Sequence, residues 1–310
     1  MKSSKYKTIG RENKHYKGDV ILEIYEKLHQ WRAQLYNPYD SKKKSGFLRL
    51  SIQFLVKEIL DSKIMKGNFE AHKRFLVEKY EKKLGLRITD GSSLSTLYEI
   101  FVENVYTIFQ DFLPKSESTI LDIGAQHGYY SLLCSKQYKC AKIYAFEPLP
   151  RNYKIMLSNL ELNGTNNVET YQAAVAEESG YLFLSEEGDM ANIFGEGQQF
   201  KCDSLTVDSL NLNLTEIDIV KIDVEGSEYK VLQGAKRTLC KFRPKVIVET
   251  HSKFLRKQVE DFLNTLGYKL VHEGRTMVVD QPEMDMVQNL FFSNMNSPME
   301  SCLQNRRDIV

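Results

Sequence analysis

The stretch LDIGAQHG, residues 121–128, decides the fold. It places a glycine turn between a short apolar run and a helical stretch that opens with Tyr129. A glycine turn between a strand and a helix is the usual geometry of a nucleotide-binding loop. The loop lacks the dinucleotide fingerprint GxGxxG, because Ala125-Gln126-His127 fill the space where a second glycine would let a pyrophosphate approach the backbone. The stretch therefore predicts a nucleotide fold without the dinucleotide loop.

Further short apolar runs follow this loop and alternate with helical stretches. The predicted strands are residues 119–123, 142–146, 168–173, 217–222 and 245–250. Continuous runs rich in β-branched residues predict strands that are buried on both faces, and hence a parallel α/β sheet with right-handed crossovers. Ligands of such sheets bind beyond the carboxyl ends of the strands. We therefore expect the functional residues at the last positions of each strand.

The first part of the chain has a different period. Between residues 18 and 113 the apolar residues recur every three or four positions, which predicts amphipathic helices. The last of these helices is predicted to carry a capping box of Thr96 and Glu99 and to end at Pro114. We predict an all-α N-terminal domain over residues 1–116 and an α/β domain over residues 117–310.

Composition excludes several classes of protein. The 310 residues include 42 Lys+Arg and 41 Asp+Glu, and no apolar run approaches the ~18–20 residues of a membrane span. The first residues are basic but lack the apolar core of a secretory signal. The five cysteines form no CxxC pair, which argues against a disulfide framework and a cysteine-built zinc site. We therefore predict a cytoplasmic protein with reduced cysteines and no membrane span.

Two acidic residues indicate the cofactor. Asp122, at the mouth of the glycine loop, would repel a pyrophosphate but would pair with the α-ammonium of a methionine-like group. Glu147 closes the next strand in Phe146-Glu147-Pro148, where a carboxylate can accept both ribose hydroxyls. An acid for the amine, glycines for close approach and an acid for the ribose together predict S-adenosylmethionine, whose sulfonium is also cationic.

From Ile120 to about Asn294 the sequence resembles the FkbM-type family of S-adenosylmethionine-dependent methyltransferases. The resemblance rests on DIGAQHGYYS, AFEPLPRNY, AAVAEESG and DIVKIDVEGSEYKVLQGAKRTL followed by RPKVIVETH. It implies a Rossmann-like fold with a mostly parallel seven-stranded sheet. It also implies a set of cofactor-binding residues, namely Asp122, Gly124, Ala125, Gln126 and Gly128 near the methionine end, Glu147 on the ribose, and Ala173 and Ala174 near the adenine. Gln126 departs from the family loop, which commonly has asparagine there.

Ionisable side chains follow the next two strands. Side-chain alternation places Lys221, Asp223 and, if extended geometry continues, Glu225 on one face of the first strand. The same rule places Glu249 and His251 on one face of the following strand. Because these strands are neighbours in the class I methyltransferase order, we expect the five groups to converge beside the transferred methyl group. Buried ionisable groups must pair with each other, with a metal or with a ligand.

We interpret this group as a catalytic cluster, with a structural ion-pair network around Lys221 as the alternative. Asp223 or His251 is predicted to be the base that takes the proton of a hydroxyl acceptor. Glu225 and Lys221 are predicted to orient the acceptor or each other. A divalent metal held by two carboxylates and one histidine is a weaker alternative, and no metal ligands are assigned.

The resemblance suggests O-methylation of a hydroxyl on a sugar, glycolipid or other small metabolite. Residues 1–118 carry 22 Lys+Arg against 15 Asp+Glu, so an RNA or protein methyltransferase that grips its polymer through the basic helices is one alternative. A cofactor-binding module without turnover is another. Because the sequence has no arginine-rich run, we do not expect a nucleic-acid partner. The apolar helix faces offer a surface for a homo-oligomer.

Two weaker expectations concern loops. His127 is expected to be a partly exposed loop residue rather than a ligand contact. Residues 185–197 are polar and contain glycine, which predicts a loop over the acceptor site.

Overall fold

The computed structural model describes residues 78, 81–82, 84–89, 93–101, 104–187, 190–192, 198–210, 215–278 and 286–294. The chain divides into two compact units, Met1–Gly85 and Leu86–Val310. The helices predicted between residues 18 and 77 lie outside the described residues. The second unit begins at Leu86, so residues 86–116 belong to the same unit as the α/β part. The predicted domain boundary between residues 116 and 117 stays a prediction.

Eleven strands are found in the described part of the second unit. They are β1 Thr119–Ile123, β2 Lys142–Phe146, β3 Val168–Tyr171, β4 Ala174–Val175, β5 Gly180–Glu187, β6 Met190–Asn192, β7 Gln198–Leu205, β8 Ile219–Ile222, β9 Lys245–Thr250, β10 Tyr268–Val278 and β11 Met286–Asn294. The α-helices are α1 Leu94–Phe101, α2 Tyr129–Lys136, α3 Pro150–Leu162, α4 Glu228–Gln233, α5 Lys236–Phe242 and α6 Lys253–Thr265.

Seven strands form the main sheet in the order β10-β11-β9-β8-β1-β2-β3. Strands β3, β2, β1, β8 and β9 pair in parallel, whereas β11 runs antiparallel to both of its neighbours. All five residues of β1 and all four of β8 are buried, which is why these strands read as continuous apolar runs. The predicted seven-stranded, mostly parallel sheet is confirmed. Its chain order reverses at β1, and ligands bind at such switch points.

The helices that flank this sheet begin and end at local sequence signals. In α6, the Ser252 hydroxyl accepts the Leu255 N–H (3.1 Å), which caps the first turn. Leu255, Val259 and Leu263 are all buried and recur every four positions along α6. Burial of this apolar stripe fixes α6 against the sheet.

A second sheet was not predicted. Its four strands lie in the order β4-β7-β5-β6. Strand β5 extends to Glu187, and Ser185 pairs with Asn192 of β6, so the prediction of a loop from residue 185 is wrong for these strand residues. The reason is that β5 pairs with β7 from Gly180 to Glu186, and this backbone pairing does not require apolar side chains.

The predicted last helix of the N-terminal part is shorter in the structure. Helix α1 begins at Leu94, and the Ser93 hydroxyl accepts the Thr96 N–H (3.4 Å), so Ser93 rather than Thr96 occupies the capping position. The helix ends at Phe101 rather than at Pro114. Residues 104–109 form turns, and a short 3-10 helix follows at Gln110–Phe112. A three-to-four spacing of apolar residues suits turns and 3-10 segments as well as an α-helix.

Thr89 and Ser93 are anchored on the α/β part by buried polar side chains. The Thr89 N–H donates to Asn159 Oδ1 (2.8 Å) and the Ser93 N–H donates to His127 Nδ1 (2.9 Å). His127 is fully buried, with Nε2 3.2 Å from Asn152 Oδ1. The expectation of a partly exposed histidine is therefore wrong, because this side chain serves to hold the preceding segment.

The remaining general expectations concern membranes and cysteines. Among the described helices, no segment combines the length and apolarity needed to cross a membrane. Cys134, Cys140 and Cys202 are free and buried, as predicted. Cys240 is disulfide-bonded, so the prediction of reduced cysteines is wrong at that residue.

Candidate active site

A cavity of about 400 Å³ lies beyond the carboxyl ends of β1, β2, β8 and β9. It is the place that the strand order predicts for a ligand. Six of the eight predicted cofactor residues line it, namely Gly124, Ala125, Gln126, Glu147, Ala173 and Ala174. Of the predicted catalytic residues, Lys221, Asp223 and Glu225 line it, and His251 does not. Residues from α1 and the following turn form a further wall.

The glycine loop fits between the ends of β2 and β8. The N–H groups of Gly124 and Ala125 both donate to the Phe146 carbonyl oxygen, at 3.0 and 2.9 Å. Gly124 has φ +77, and a Cβ there would lie 1.7 Å from the Asp223 carbonyl oxygen. No other residue type can occupy this position without moving β8. The close approach therefore brings the loop backbone to the same edge as Asp223.

Gly128 has a different role from the predicted one. It does not line the cavity, and its φ is +78. A Cβ at this position would lie 2.8 Å from Met156 Cγ on α3. Gly128 therefore allows close packing of the loop on α3, and the structure does not support direct contact with a cofactor.

Glu147 lines the cavity at the end of β2 and is tied to the backbone on both oxygens. Its Oε2 accepts the Gln126 N–H (2.8 Å) and its Oε1 accepts the Leu149 N–H (2.9 Å). Burial raises the pKa of this carboxyl group to about 7, although the two backbone donors oppose the shift. A carboxylate has about four lone-pair sites, so Glu147 can still accept a hydrogen bond from a ligand hydroxyl.

Asp122 does not reach the cavity. Its side chain is completely buried, and its carboxylate accepts the Ser131 hydroxyl (2.6 Å) and faces Lys221 Nζ (3.3 Å). Asp122 is not among the lining residues. The structure therefore does not support the predicted pairing of Asp122 with a cofactor ammonium, because Lys221 already supplies the counter-charge.

Lys221 connects the two ends of the cavity. Its ammonium donates to the Gly124 carbonyl oxygen (2.7 Å) and lies 3.7 Å from Asp223 Oδ2. Burial lowers the pKa of Lys221, but the neighbouring carboxylates of Asp122, Asp223 and Glu249 outweigh burial and raise it. Lys221 is therefore a fixed positive charge in the cavity wall.

At the acceptor end of the cavity, two carboxyl groups contact the hydroxyl of Tyr106. The Tyr106 hydroxyl donates to Asp223 Oδ2 (2.8 Å), and it lies 3.2 Å from Glu249 Oε2. All three residues line the cavity. Burial, followed by the charge of Asp223, raises the pKa of Glu249 to about 8. The predicted convergence of groups from β8 and β9 is present, and Tyr106 is an addition to it.

His251 lies behind this group among further carboxylates. Its Nδ1 is 2.9 Å from Glu228 Oε1, its Nε2 is 3.3 Å from Glu225 Oε2, and Asp223 Oδ1 is 3.8 Å away. Burial lowers its pKa, but Glu228 and the other carboxylates raise it well above the usual value. Carboxylates face both of its ring nitrogens, so neither nitrogen offers a free lone pair to an acceptor's proton. The geometry therefore does not favour His251 as the base.

Glu225 reaches the cluster by a route other than the predicted one. Strand β8 ends at Ile222, and Glu225 has φ +53, so extended geometry does not continue. The turn nevertheless directs its carboxylate to His251. Burial raises the pKa of Glu225 to about 7. The turn is itself held by Glu228 Oε1, which accepts the Gly226 N–H (3.0 Å).

Asp223, Glu249 and His251 offer ligand atoms within 4.8 Å of one another, a spacing that a divalent cation could bridge. An imidazole binds a metal through a nitrogen lone pair, which a protonated ring does not have. Because carboxylates face both ring nitrogens of His251, the geometry favours an ion-pair network. We propose no metal at this position.

Sequence reasoning missed two residues of the site. Tyr106 lies in a run of helical apolar spacing, and no signal distinguishes it from a core aromatic. Glu228 lies in the motif DVEGSE, three residues after Glu225. A charged residue in the first turn after the β8 loop was the signal that could have indicated it.

Comparison with known proteins agrees with this geometry. Residues 122–270 match the family model of the methyltransferase FkbM domain. Methyltransferase sdnD of Sordaria araneosa is 27% identical over 225 residues, which cover 60% of this chain and 86% of that protein. Hexuronic acid methyltransferase AglP of Haloferax volcanii is 25% identical over 157 residues, covering 48% of this chain and 63% of that protein.

The crystal structure of methyltransferase FkbM from Methylobacillus flagellatus is 17% identical, with a TM-score of 0.44. The likeness covers 73% of this chain and 59% of that one, which is less than two thirds of its length.

The sheet order with its antiparallel β11, together with the cavity at the carboxyl ends of the parallel strands, defines a Rossmann-like methyltransferase fold. The sequence match covers residues 122–270, just under half of the chain, and that stretch is similar to the methyltransferase FkbM domain.

Proposed function

We propose that the protein is an S-adenosylmethionine-dependent O-methyltransferase that acts on a hydroxyl group of a small acceptor, with a sugar as the favoured class. The observation that carries the proposal is the shared cavity, which is lined by the glycine loop and Glu147 at one end and by Asp223 and Glu249 at the other. A cofactor that fills the first end would present its reactive group to the second.

The cofactor end suits S-adenosylmethionine. Gly124 and Ala125 offer backbone without a bulky side chain, and Glu147 offers carboxylate oxygens for the ribose hydroxyls. Ala173 and Ala174 line the cavity just beyond β3, where small side chains leave room for a flat base. When bound, the cofactor supplies a methyl group on a cationic sulfonium. The carboxylates around Asp223 favour that positive charge in the cavity.

Asp223 is the residue that we propose as the base. It lines the cavity, and its Oδ2 is held by Tyr106 while Oδ1 lies 3.8 Å from His251 Nε2. With the cofactor bound, the Asp223 carboxylate would take the acceptor's O–H proton as the acceptor oxygen takes the methyl group and the carbon–sulfur bond breaks. The products are a methyl ether, a neutral thioether and a protonated Asp223. Orientation of the acceptor contributes further rate.

A sugar acceptor is proposed from one relative and from the chemistry of sugar hydroxyls. One relative, AglP, is named as a hexuronic acid methyltransferase. Sugars carry several neutral hydroxyls, which can donate hydrogen bonds to carboxylates.

The homo-oligomer and the cytoplasmic location stay predictions.

The test is transfer of a tritiated methyl group from S-adenosylmethionine to a panel of hexoses and hexuronic acids. Each sugar is paired with its deoxy analogue, which lacks one hydroxyl. We expect label to enter at least one sugar as an O-methyl ether and to be absent from the matching deoxy compound. Label in bulk RNA or protein alone would overturn the small-acceptor proposal. Absence of label from every sample, with S-adenosylhomocysteine binding confirmed, would favour the binding module.

A further inference from the structure

Tyr106 stands out among the residues of the cavity because of its place in the chain. It precedes the family-matched residues 122–270 and lies in the turn that follows α1. Its side chain is only 5% exposed, and it lines the cavity. The segment before the family domain thus contributes a polar group to the acceptor end.

The hydroxyl of Tyr106 has one proton and two carboxyl neighbours. It lies 2.8 Å from Asp223 Oδ2 and 3.2 Å from Glu249 Oε2. A phenol can donate to one partner only, so the second contact requires a donor on the other side. Burial and the charge of Asp223 raise the pKa of Glu249 to about 8, which keeps a proton on this carboxyl group at neutral pH. The donors then run in one direction, from Glu249 to Tyr106 to Asp223.

This direction fixes the orientation of Asp223. The residue lies just past the end of β8, and its N–H donates to the Ile123 carbonyl oxygen (3.1 Å), so its backbone is held against β1. Its Oδ2 accepts the Tyr106 hydroxyl and lies 3.7 Å from Lys221 Nζ. Its Oδ1 lies 3.8 Å from His251 Nε2. A carboxylate with one oxygen held in this way presents the other oxygen in a single direction.

We propose that Tyr106 is a positioning residue for methyl transfer, and that its hydroxyl fixes the Asp223 carboxylate in the orientation that accepts the acceptor's proton. The proposal rests on the proposed function. It places a residue from outside the family domain in the machinery of the reaction.

The ring of Tyr106 has contacts of its own that a structural role would use. It packs edge to face on Tyr130, with ring centroids 5.4 Å apart, and Lys221 Nζ lies 5.2 Å from the ring centroid. Tyr106→Phe keeps both contacts and removes only the hydroxyl. The variant therefore separates positioning of Asp223 from packing of the segment.

The experiment measures kcat and KM for the sugar that accepts label, the Kd for S-adenosylhomocysteine, and the Tm. The matched control is Tyr268→Phe, because Tyr268 is buried, lies outside the cavity lining, and its hydroxyl donates to the Leu239 carbonyl oxygen (3.3 Å). We expect Tyr106→Phe to lower kcat about 10- to 100-fold, as for loss of a hydrogen bond to a charged group. The Kd should change less than about twofold, and Tyr268→Phe should keep its kcat.

Three results would decide against the proposal. An unchanged kcat in Tyr106→Phe would overturn the positioning role while leaving the proposed function intact. A fall in kcat matched by an equal loss of S-adenosylhomocysteine affinity and by a lower Tm than that of Tyr268→Phe would assign Tyr106 to structure only. A native protein that labels no acceptor would overturn the proposed function and, with it, this inference.

Discussion

The two ends of the cavity are built in different ways. The cofactor end is built mainly from backbone: Gly124 and Ala125 follow β1 directly, and Glu147 is held by two backbone N–H groups. The acceptor end is built from side-chain charges, which come from the ends of β8 and β9 and from Tyr106, 117 residues before Asp223. A contiguous motif can encode the first end, whereas only the folded chain assembles the second.

The ends also differ in charge. Asp223, Glu225, Glu228 and Glu249 surround the acceptor end, against two cations. The cations are Lys221 and His251. The like charges raise the pKa values of Glu225 and Glu249, after the effect of burial. A surplus of carboxylates can accept a cationic ligand and a proton, whereas the predicted cofactor residues that line the cavity include one carboxylate, Glu147, which backbone donors hold.

Asp223, the proposed base, is the residue whose replacement should lower kcat most. We expect Asp223→Asn to lower kcat by ~10²–10⁴-fold, because the amide cannot take the acceptor proton. The Kd for S-adenosylhomocysteine should stay within about threefold, since the backbone-built end is untouched. Steady-state transfer of tritiated methyl groups and isothermal titration measure the two quantities.

Asp218→Asn is the matched control for that variant. Asp218 lies just before β8, at the opposite end of the strand, where its Oδ2 accepts the Thr119 N–H (2.7 Å). It should lose some stability and keep its kcat. Equal activity of the two variants would show that Asp223 is not the base.

The next prediction tests the backbone-built end. Gly124→Ala would place a methyl group 1.7 Å from the Asp223 carbonyl oxygen at a φ of +77. We expect this variant to lose at least about 3 kcal/mol of stability, more than the ~1–2 kcal/mol of left-handed backbone strain alone. S-adenosylhomocysteine affinity should fall with it. Thermal unfolding and isothermal titration measure these losses.

Gly164→Ala isolates the strain in the Gly124 comparison. Gly164 has φ +58, and a Cβ there has no neighbour within 4 Å among the described atoms. It should show the cost of left-handed φ alone and unchanged cofactor binding. If both glycine variants behaved alike, close approach of the loop to β8 would not matter for binding.

The same contrast explains how much the sequence predicts. The strands β1, β2, β8 and β9 follow from continuous apolar runs, and the loop follows from its glycines, because both are local and buried on a parallel sheet. Asp122 was predicted to meet the cofactor because its position in the motif was clear, but which charge it pairs with depends on Lys221 of another strand.

Other features depend on strand pairing and on contacts between distant segments, which give no signal in the local sequence. Strands β5 and β6 contain polar residues, and their pairing partners, not their composition, make them strands. His127 is buried because a preceding segment bonds to it. Tyr106 has the spacing of a core aromatic, and only the folded chain shows that its hydroxyl meets two carboxyl groups.

Glu147, which we propose to hold the ribose of S-adenosylmethionine, has a raised pKa that gives a direct test of this role. In the free protein, burial raises the pKa of Glu147 to about 7. A carboxylate that accepts hydrogen bonds from two ribose hydroxyls must be ionised. At a pH below about 7, binding therefore requires Glu147 to lose its proton. Affinity should therefore be constant above about pH 7.5 and fall as the pH decreases, by about tenfold per unit at most.

The measurement is isothermal titration with S-adenosylhomocysteine from pH 5.5 to 8.5 on the native protein, Glu147→Gln and Glu216→Gln. Glu216 is an exposed residue before β8 and serves as the control. We expect Glu216→Gln to follow the native curve, and Glu147→Gln to bind about 10- to 100-fold more weakly at pH 8 with little pH dependence. A native affinity that is independent of pH and equal to that of Glu147→Gln would contradict the assignment of Glu147 to the ribose.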